Sequence, residues 1–543
     1  MVNKKSSSRK SFFGGVAILS LSTVIVKAIG LFYKIPMMKY LGEEGMGYFN
    51  SAYEIYTLFY ILATAGLPVA VSILVAENAE RKDTRGVRKI FHVSLLIFFI
   101  LGVIGTAVLY FGSAELSELI ENSGALSCIA AISPMVLFIC VSSAVRGYFQ
   151  GHQNMTPTAV SQIIEAVGKL LFGLVFAVWA IKNGYDVPHA AALATLGLTI
   201  GTGLSMAYLL LAKAAEHKRE NSLPGTALKG GSIAKSIIKI AVPITISSTV
   251  MSLTRVVDLF MILRRLQAIG YTEEAANAIY GSYSTLAISM FNLPAAFVTP
   301  IALALVPVLA SAINSGDKYK EISTLNSSLR LCGIITLPAS LGLCVFSRPV
   351  LELVFKGQDS AINTAAPLLS VLGASVFFSC LMTVTNAILQ AYGKEKQPIV
   401  SMLAGSAVKI IFSYILIGIP EVNVYGASIS TFLCALTVSI INFAYIKKCT
   451  EGMDAPVKLF GSTLAASVAS VAIGGGIYFT TALSYGRTSL LTVLSICVVV
   501  LAFVVLALKF GAIREEDIAL LPSGNKVCDI LKKIKLVNKK EKA

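Results

Sequence analysis

Residues 488–509 read TSLLTVLSICVVVLAFVVLALK, a run in which Lys509 is the only charged side chain. A helix needs about 20 such residues to cross the hydrocarbon core of a bilayer. Comparable runs bounded by charged or turn residues occur at 12–33, 48–76, 89–112, 124–148, 157–181, 188–212, 236–262, 277–309, 326–347, 362–391, 397–418, 423–446 and 457–482. The sequence therefore predicts an all-α polytopic membrane protein with about fourteen transmembrane helices.

The composition of the whole chain agrees with this prediction. Of 543 residues, 55% are apolar and 14% are charged, and the mean hydropathy is +0.77. Soluble proteins average roughly 45–50% apolar and 25% charged residues, so a soluble enzyme and a disordered chain are excluded. The nine cysteines form no CxxC pair, and the four histidines are scattered. The sequence therefore predicts no disulfide framework, no metal centre and no cofactor.

Lysine and arginine are unevenly distributed between the loops. They are frequent in the N-terminal arm, after spans two and six, and in the C-terminal tail. In the loop after span three, by contrast, the only charged residues are glutamates. Because positive loops stay inside, both termini are predicted to be cytoplasmic and the number of spans to be even. The net charge of +16 is explained by this topology and by anionic lipid headgroups, without nucleic acid.

The chain also contains an internal repeat. Lys27 precedes Pro68 by 41 residues, and Arg255 precedes Pro294 by 39. Two halves of six spans enter the membrane from the same side, so the repeat is parallel, and a transport site is expected between the halves near the midplane. The predicted organisation is a basic arm (1–11), a first lobe (12–213), a cytoplasmic linker (214–234), a second lobe (235–447), an extra helix pair (448–509) and a basic tail (510–543).

Ionisable side chains inside the spans mark a candidate binding site, because each costs about 2.5 kcal/mol or more at the bilayer centre. Lys27 has no carboxylate three or four residues away, so its partner is another helix, such as the one with Glu54, or a substrate. Arg255 can pair with Asp258 but keeps further donors. Lys27 and Arg255 are predicted to bind an anionic cargo such as a pyrophosphate, with Lys34 extending the basic track. The alternatives are that Lys27 snorkels outward and that Lys34 is an interfacial anchor.

Four further residues are candidates for a gate or for coupling. Glu165 and Lys169 are four residues apart on one helical face, so they can neutralise each other or face a cavity. Arg146 lies at the predicted cytoplasmic end of span four, where it fits a gate or a helix cap. Lys409 in span eleven corresponds to Lys169 in the repeat, because the two lysines follow a proline by 11 and 12 residues.

Four motifs resemble the polysaccharide-biosynthesis branch of the MOP flippase superfamily. They read LFYKIP (31–36), GEEGMG (42–47), GLPVAVS (66–72) and RGYFQGHQNMTP (146–157), of which the last is the most specific. Within this branch the chain is most similar to the MurJ-like lipid II flippases of Firmicutes and to the SpoVB-type sporulation proteins. The resemblance covers essentially the whole chain.

The resemblance implies a V-shaped, two-lobed transporter of the bacterial cytoplasmic membrane. Its cargo would be an undecaprenyl-pyrophosphate-linked precursor, lipid II, carried to the outer leaflet by alternating access. The family's cavity cation in span one corresponds to Lys27, and Arg255 substitutes for a span-eight arginine that is absent near Ser289. Some relatives bind sodium through an acidic residue in span twelve, where this chain has Asn442 and no acid. The membrane potential and a monovalent cation are both candidate driving forces.

Three other functions are compatible with these residues. A flippase for another lipid-linked glycan, of spore cortex, teichoic acid or capsule, would bind the same pyrophosphate. A MATE-type multidrug exporter shares the fold and would use Glu54, Glu165 and Asp258 to bind cations. A membrane glycosyltransferase would carry paired carboxylates in a large outer loop, whereas every predicted outer loop is short. The prediction is a transporter rather than an enzyme.

Overall fold

The computed structural model describes residues 2–217 and 230–513, which are helical and contain no strand. Within these ranges, twelve helices are long and apolar enough to cross a membrane. The first, Ser22–Glu80, has 59 residues with a short break at residues 65–66, and it is more than twice as long as one crossing needs, so it accommodates the first two predicted spans. The prediction of an all-α, multi-pass membrane protein is confirmed.

The chain divides into two compact units, residues 1–281 and residues 282–543. The first unit therefore includes the seventh predicted span. The lobe boundaries derived from the repeat, with a second lobe that begins at residue 235, stay a prediction. Much of the predicted linker, at 218–229, and most of the predicted basic tail, at 514–543, lie outside the described residues.

The first unit contains ten α-helices within the described ranges. They are α1 (Val2–Thr64), α2 (Leu67–Glu80), α3 (Thr84–Phe111), α4 (Ser113–Leu119), α5 (Leu126–Ile132), α6 (Pro134–Gly151), α7 (Thr156–Lys182), α8 (Val187–His217), α9 (Gly230–Ala268) and α10 (Glu273–Ser282). The connection expected between spans one and two is itself helical. It contains Lys39, Glu43 and Glu44, which favour helices although they lower hydropathy. α1 turns at Gly42, whose φ of 68° suits glycine. The part of α1 before Gly42 is its first arm, and the part after Gly42 is its second arm.

A Leu-Pro pair begins a helix in each unit. Leu67 and Pro68 open α2 after Gly66, and Leu293 and Pro294 open α12 (Leu293–Asn314) after Asn292. Proline is tolerated in the first turn because the backbone N–H that it lacks has no acceptor there. The repeated Leu-Pro pairs are thus equivalent in structure as well as in sequence.

The second unit is built from α11 (Ile288–Phe291), α12, α13 (Lys318–Val345), α14 (Ser347–Val354), α15 (Asp359–Ala391), α16 (Lys396–Ile417), α17 (Tyr425–Cys449), α18 (Pro456–Tyr485) and α19 (Ser489–Lys509). The predicted eighth span, 277–309, is not one helix: a π-helical turn at Tyr283–Ala287 and the break at Asn292 divide it. Hydropathy is continuous across these breaks and did not reveal them. Fully buried Leu329, Val384 and Ile388 pack α13 against α15 in the core.

Candidate functional site

An ion-pair cluster lies inside the first unit. Arg146 Nη2 is 3.0 Å from Glu165 Oε2, and Lys169 Nζ is 2.7 Å from Glu165 Oε1. The side chains of Arg146, Glu165 and Lys169 are 7%, 11% and 17% exposed. The ion pair expected from the spacing of Glu165 and Lys169 on α7 is confirmed. The second cation, from α6, could not be assigned from spacing along one helix.

Arg146 also binds hydroxyl groups on two neighbouring helices. Its Nε donates to Ser161 Oγ on α7 at 3.1 Å, and its Nη2 donates to Ser205 Oγ on α8 at 3.3 Å. Ser205 Oγ in turn donates to the Ser161 carbonyl at 2.9 Å. The alternative that Arg146 caps a helix end is wrong, because its side chain joins α6 to α7 and α8. Its role as a gate stays a prediction.

Glycines allow α7 and α8 to approach closely beside this cluster. A Cβ built on Gly197 would lie 2.5 Å from Gly173 Cα, and one built on Gly168 would lie 2.8 Å from Gly201 Cα. Gly197 and Gly201 are four residues apart, the spacing of small residues that is common where membrane helices touch. Without side chains at these positions, the backbone of α8 can bring Ser205 within reach of Arg146.

Three tyrosines on the second arm of α1 lie beside the cluster. Tyr53, Tyr56 and Tyr60 form a ladder with ring centroids 6.0 Å apart at each step. The charge of Glu165 acts on the hydroxyl groups of Tyr56 and Tyr60, and Tyr53 is close enough to Lys169 to interact with it. These tyrosines are not among the residues predicted from the sequence, although their i, i+3, i+7 spacing places them on one helical face.

Lys34 and Glu54 interact across the two arms of α1. The carboxylate of Glu54 contributes an electrostatic interaction at Lys34, and both side chains are partly buried. The turn at Gly42 brings these two arms together, since the residues are 20 positions apart in one long helix. Glu54, suggested as a partner of Lys27, is thus a neighbour of Lys34.

The two cations related by the repeat both belong to the first unit. The side chains of Lys27 and Arg255 are exposed, and Asp258 is partly buried. Arg255 Nη2 donates to Ser252 Oγ at 3.3 Å, one turn earlier on α9. That Lys27, Arg255 and Asp258 form a binding site for an anionic cargo stays a prediction.

A polar network without a formal charge lies in the second unit. Asn442 on α17 accepts a hydrogen bond from Ser401 Oγ at 2.6 Å, and it donates to Thr385 Oγ1 at 2.9 Å and to Asn386 Oδ1 at 2.8 Å. Lys409 is buried on α16. It is the fourteenth residue of its helix, as Lys169 is of α7, so the repeat places both lysines at equal positions.

The chemistry of the first-unit cluster favours an anionic ligand. Two cations surround one carboxylate, which leaves an excess positive charge in a largely buried region. Among residues 2–217 and 230–513, no three His, Cys, Asp or Glu side chains are grouped so that they could hold a metal ion.

Comparison with protein families gives two matches. Residues 12–313, more than half of the chain, match the family described as "Polysaccharide biosynthesis protein", and residues 281–415 match the MatE family. The first match contains all the candidate residues except Lys409, which lies in the second.

Three known proteins resemble the chain over most of its length. It is 26% identical to stage V sporulation protein B of Bacillus subtilis, with 95% of this chain and 98% of that protein covered. It is also 26% identical to the lipid II flippase MurJ of Bacillus subtilis, with 80% and 82% covered. A solved structure titled "Lipid II flippase MurJ, inward closed conformation" superposes with a TM-score of 0.70 at 16% identity, over 91% of this chain and 98% of that one.

Proposed function

Since the chain belongs to the polysaccharide biosynthesis protein family, we propose that it is a flippase for an undecaprenyl-pyrophosphate-linked cell-wall precursor, lipid II. It would carry this lipid from the inner to the outer leaflet of the bacterial cytoplasmic membrane by alternating access. The sequence resemblance to the MOP superfamily is confirmed, and the lipid II flippase MurJ, one of the relatives, is a transporter rather than an enzyme. The choice of lipid II rests on the similarity of the chain to the lipid II flippase MurJ of Bacillus subtilis.

The observation that carries the proposal is an excess of cations among the intramembrane candidates of the first unit. Five are cations and three are carboxylates: Lys27, Lys34, Arg146, Lys169 and Arg255 against Glu54, Glu165 and Asp258. A charge in a membrane span is expensive unless it is paired or lines a wet cavity. An anionic pyrophosphate would balance the excess, with bidentate contacts from arginine and point charges from lysine. A cationic drug would increase the excess of positive charge.

An apolar groove in the second unit supports a lipid cargo. It has a volume of about 370 Å³ and lies between α13 and α18. Its lining includes Leu341, Val345, Val468 and Phe479, and Gly475 and Gly476 leave its floor open. We assign the polyprenyl tail to this groove, because a hydrocarbon chain binds to an apolar surface by burial alone and needs no hydrogen-bond partner from α13 or α18.

The proposed direction of transport agrees with the membrane potential. An inside-negative potential favours outward movement of an anion by about 2.3 kcal/mol per charge per 100 mV. The same potential would favour the return of an empty cationic site. Both termini are proposed to be cytoplasmic, as the loop charges indicate, and a monovalent cation stays the alternative driving force.

Complementation tests the proposal. A bacterial host is depleted of its lipid II flippase, this chain is expressed, and the outer-leaflet accessibility of labelled lipid II is followed. We expect rescue by the wild type and loss of rescue by Lys27→Ala and Arg255→Ala at equal membrane abundance. Lys182→Ala, an exposed lysine in the last turn of α7, is the matched control and should rescue.

Failure of a correctly inserted wild type would contradict lipid II as the cargo. Rescue of a strain that lacks the flippase of another lipid-linked glycan would then assign that glycan. Drug resistance without rescue of either strain would favour a multidrug exporter, the function suggested by the match of residues 281–415 to the MatE family.

A further inference from the structure

Glu165 has one cationic partner more than its charge requires. Arg146 is held by three hydrogen bonds, to Ser161, Glu165 and Ser205. Lys169 is the more exposed of the two cations, and its single hydrogen bond within the described part of the chain is to Glu165 Oε1. Arg146 alone could neutralise Glu165, so Lys169 is the partner that can leave.

We propose that Lys169 is an exchangeable anion-binding residue, whose ammonium group leaves Glu165 to bind a phosphate-type oxyanion while Arg146 keeps Glu165 paired. Lysine suits this role because it is a point charge on a flexible stem with three rotatable donors. The inference rests on the proposed function, and it assigns the oxyanion to the diphosphate of the lipid cargo.

The packing of α1 on α7 places Lys169 near the depth of Lys27. Ser22 Oγ donates to Gln162 Oε1 at 3.3 Å, and a Cβ built on Gly173 would lie 2.7 Å from Tyr33 Oη. In both pairs the α7 residue follows the α1 residue by 140 positions. The two helices therefore run in the same direction, and Lys27 on α1 is level with residue 167 on α7. At 1.5 Å per residue, Lys169 is about 3 Å further along the axis of α7 than residue 167.

A buried hydroxyl is available to Glu165 when Lys169 leaves. Tyr56 is 1% exposed, and its Oη has no hydrogen-bond partner within the described residues. It lies in the field of Glu165. A buried donor without an acceptor is unusual and unfavourable in a folded protein. In the exchanged state, a shift that brings this hydroxyl to the carboxylate would give both Glu165 oxygens a donor.

Charge balance argues against a purely structural role for Lys169. A buried charge without a counterion costs several kcal/mol, so a cluster that served only to join helices would be expected to carry equal numbers of both signs. With Arg146 in place, Lys169 is in excess. Its removal leaves a balanced Arg146–Glu165 pair.

Binding to the purified full-length chain in lipid nanodiscs tests the assignment. The probes are undecaprenyl pyrophosphate, uncharged undecaprenol and inorganic pyrophosphate. We expect Lys169→Met to raise the Kd for undecaprenyl pyrophosphate about tenfold or more, the loss expected for a hydrogen bond to a charged group, and to leave undecaprenol binding unchanged. Lys182→Met, a second lysine of α7, should behave as wild type.

Arg146→Met is an independent variant that also keeps the charges balanced. Lys169 is then the only cation left for Glu165 and cannot leave it, so the Kd for undecaprenyl pyrophosphate should rise as well. An unchanged Kd in Lys169→Met overturns the proposal. If Lys169→Met does not fold, an unchanged Kd in Arg146→Met overturns it instead.

The remaining outcomes separate the sources of the oxyanion and the two proposals. If Lys169→Met weakens inorganic pyrophosphate but not the lipid, the assignment to the cargo is overturned. If the wild type binds undecaprenyl pyrophosphate no better than undecaprenol, the proposed function fails and the role of Lys169 fails with it. If the wild type and Lys169→Met prefer the diphosphate equally, only the role of Lys169 fails.

Discussion

Arg146 and Glu165 are 19 residues apart in the chain, and their side chains meet at 3.0 Å between α6 and α7. The contact occurs in the part of the protein where water is scarce, and hydrogen bonds to charged groups are strong there. Because Lys169 binds the other oxygen of the same carboxylate, the stability of this region depends on Glu165 more than on either cation.

Glu165→Gln is therefore expected to destabilise the protein severely. The change leaves two largely buried cations without a counterion, and breaking a buried pair in this way costs about 3–5 kcal/mol. Thermal unfolding of the detergent-solubilised protein measures the effect. Glu118→Gln, an exposed position on α4, is the control and should unfold as wild type. Equal melting temperatures for both variants would show that the cluster does not hold the helices together.

Gly197→Leu should separate α7 from α8. A Cβ at Gly197 would already lie 2.3 Å from the Gly173 backbone nitrogen, so a larger side chain forces the two backbones apart. Overpacking of a tight interface costs about 1–3 kcal/mol or more. Gly342→Ala on α13, where a Cβ meets nothing within 4 Å, is the matched control. It should be neutral or stabilising, since alanine favours helices over glycine by about 0.8–1.0 kcal/mol.

Both glycine variants can be compared by fluorescence-detected size exclusion after a temperature series. A Gly197→Leu protein as heat-resistant as Gly342→Ala would contradict close packing between α7 and α8.

Gly476→Phe should block the apolar groove without unfolding the second unit. Gly476 lines the groove, and a Cβ there meets nothing within 4 Å, so a phenyl ring can occupy the space assigned to the polyprenyl tail. We expect at least a tenfold fall in lipid II export in the complementation strain, at wild-type abundance. Ile477→Phe changes the neighbouring residue, which is 43% exposed outside the groove, and should export normally. Normal export by Gly476→Phe would remove the tail from this groove.

Tyr392→Phe should destabilise the second unit at one end of α13. Tyr392 Oη donates to Glu321 Oε1 at 2.7 Å, and the Glu321 side chain is only 2% exposed. Burial and the Glu321 carboxylate hold the pKa of Tyr392 above its usual range, so the hydroxyl remains a donor at physiological pH. Loss of the bond leaves a buried carboxylate oxygen without that donor, at a cost of about 1–3 kcal/mol.

Tyr319→Phe provides the control for this hydroxyl, because Tyr319 is on α13, the helix that carries Glu321, but is 72% exposed. Melting temperatures of the two variants in detergent give the comparison. If both fall equally, or if neither falls, the Tyr392–Glu321 bond is not a stabilising contact.

Much of the architecture could be predicted from local properties of the sequence. Hydropathy identified most of the spans, and the spacing of the Leu-Pro pairs indicated the internal repeat, because both are properties of positions along the chain. That each Leu-Pro pair begins a helix was not predicted, since both pairs were placed inside spans. The same properties missed the helical connection around Gly42 and the breaks in the predicted eighth span. At these places the hydropathy of the residues does not indicate whether the helix continues or breaks. The packing of the helices decides it.

The sequence by itself determined that the chain crosses the membrane many times, and the period of the α-helix placed Glu165 and Lys169 on one helical face, where they can pair. Only the tertiary structure decided that Arg146 completes that pair, that Glu54 interacts with Lys34, and that α7 and α8 touch at Gly173 and Gly197. The physical reason is that helical period and hydropathy act over a few residues. Contacts between helices depend on the angle and depth at which whole segments pack.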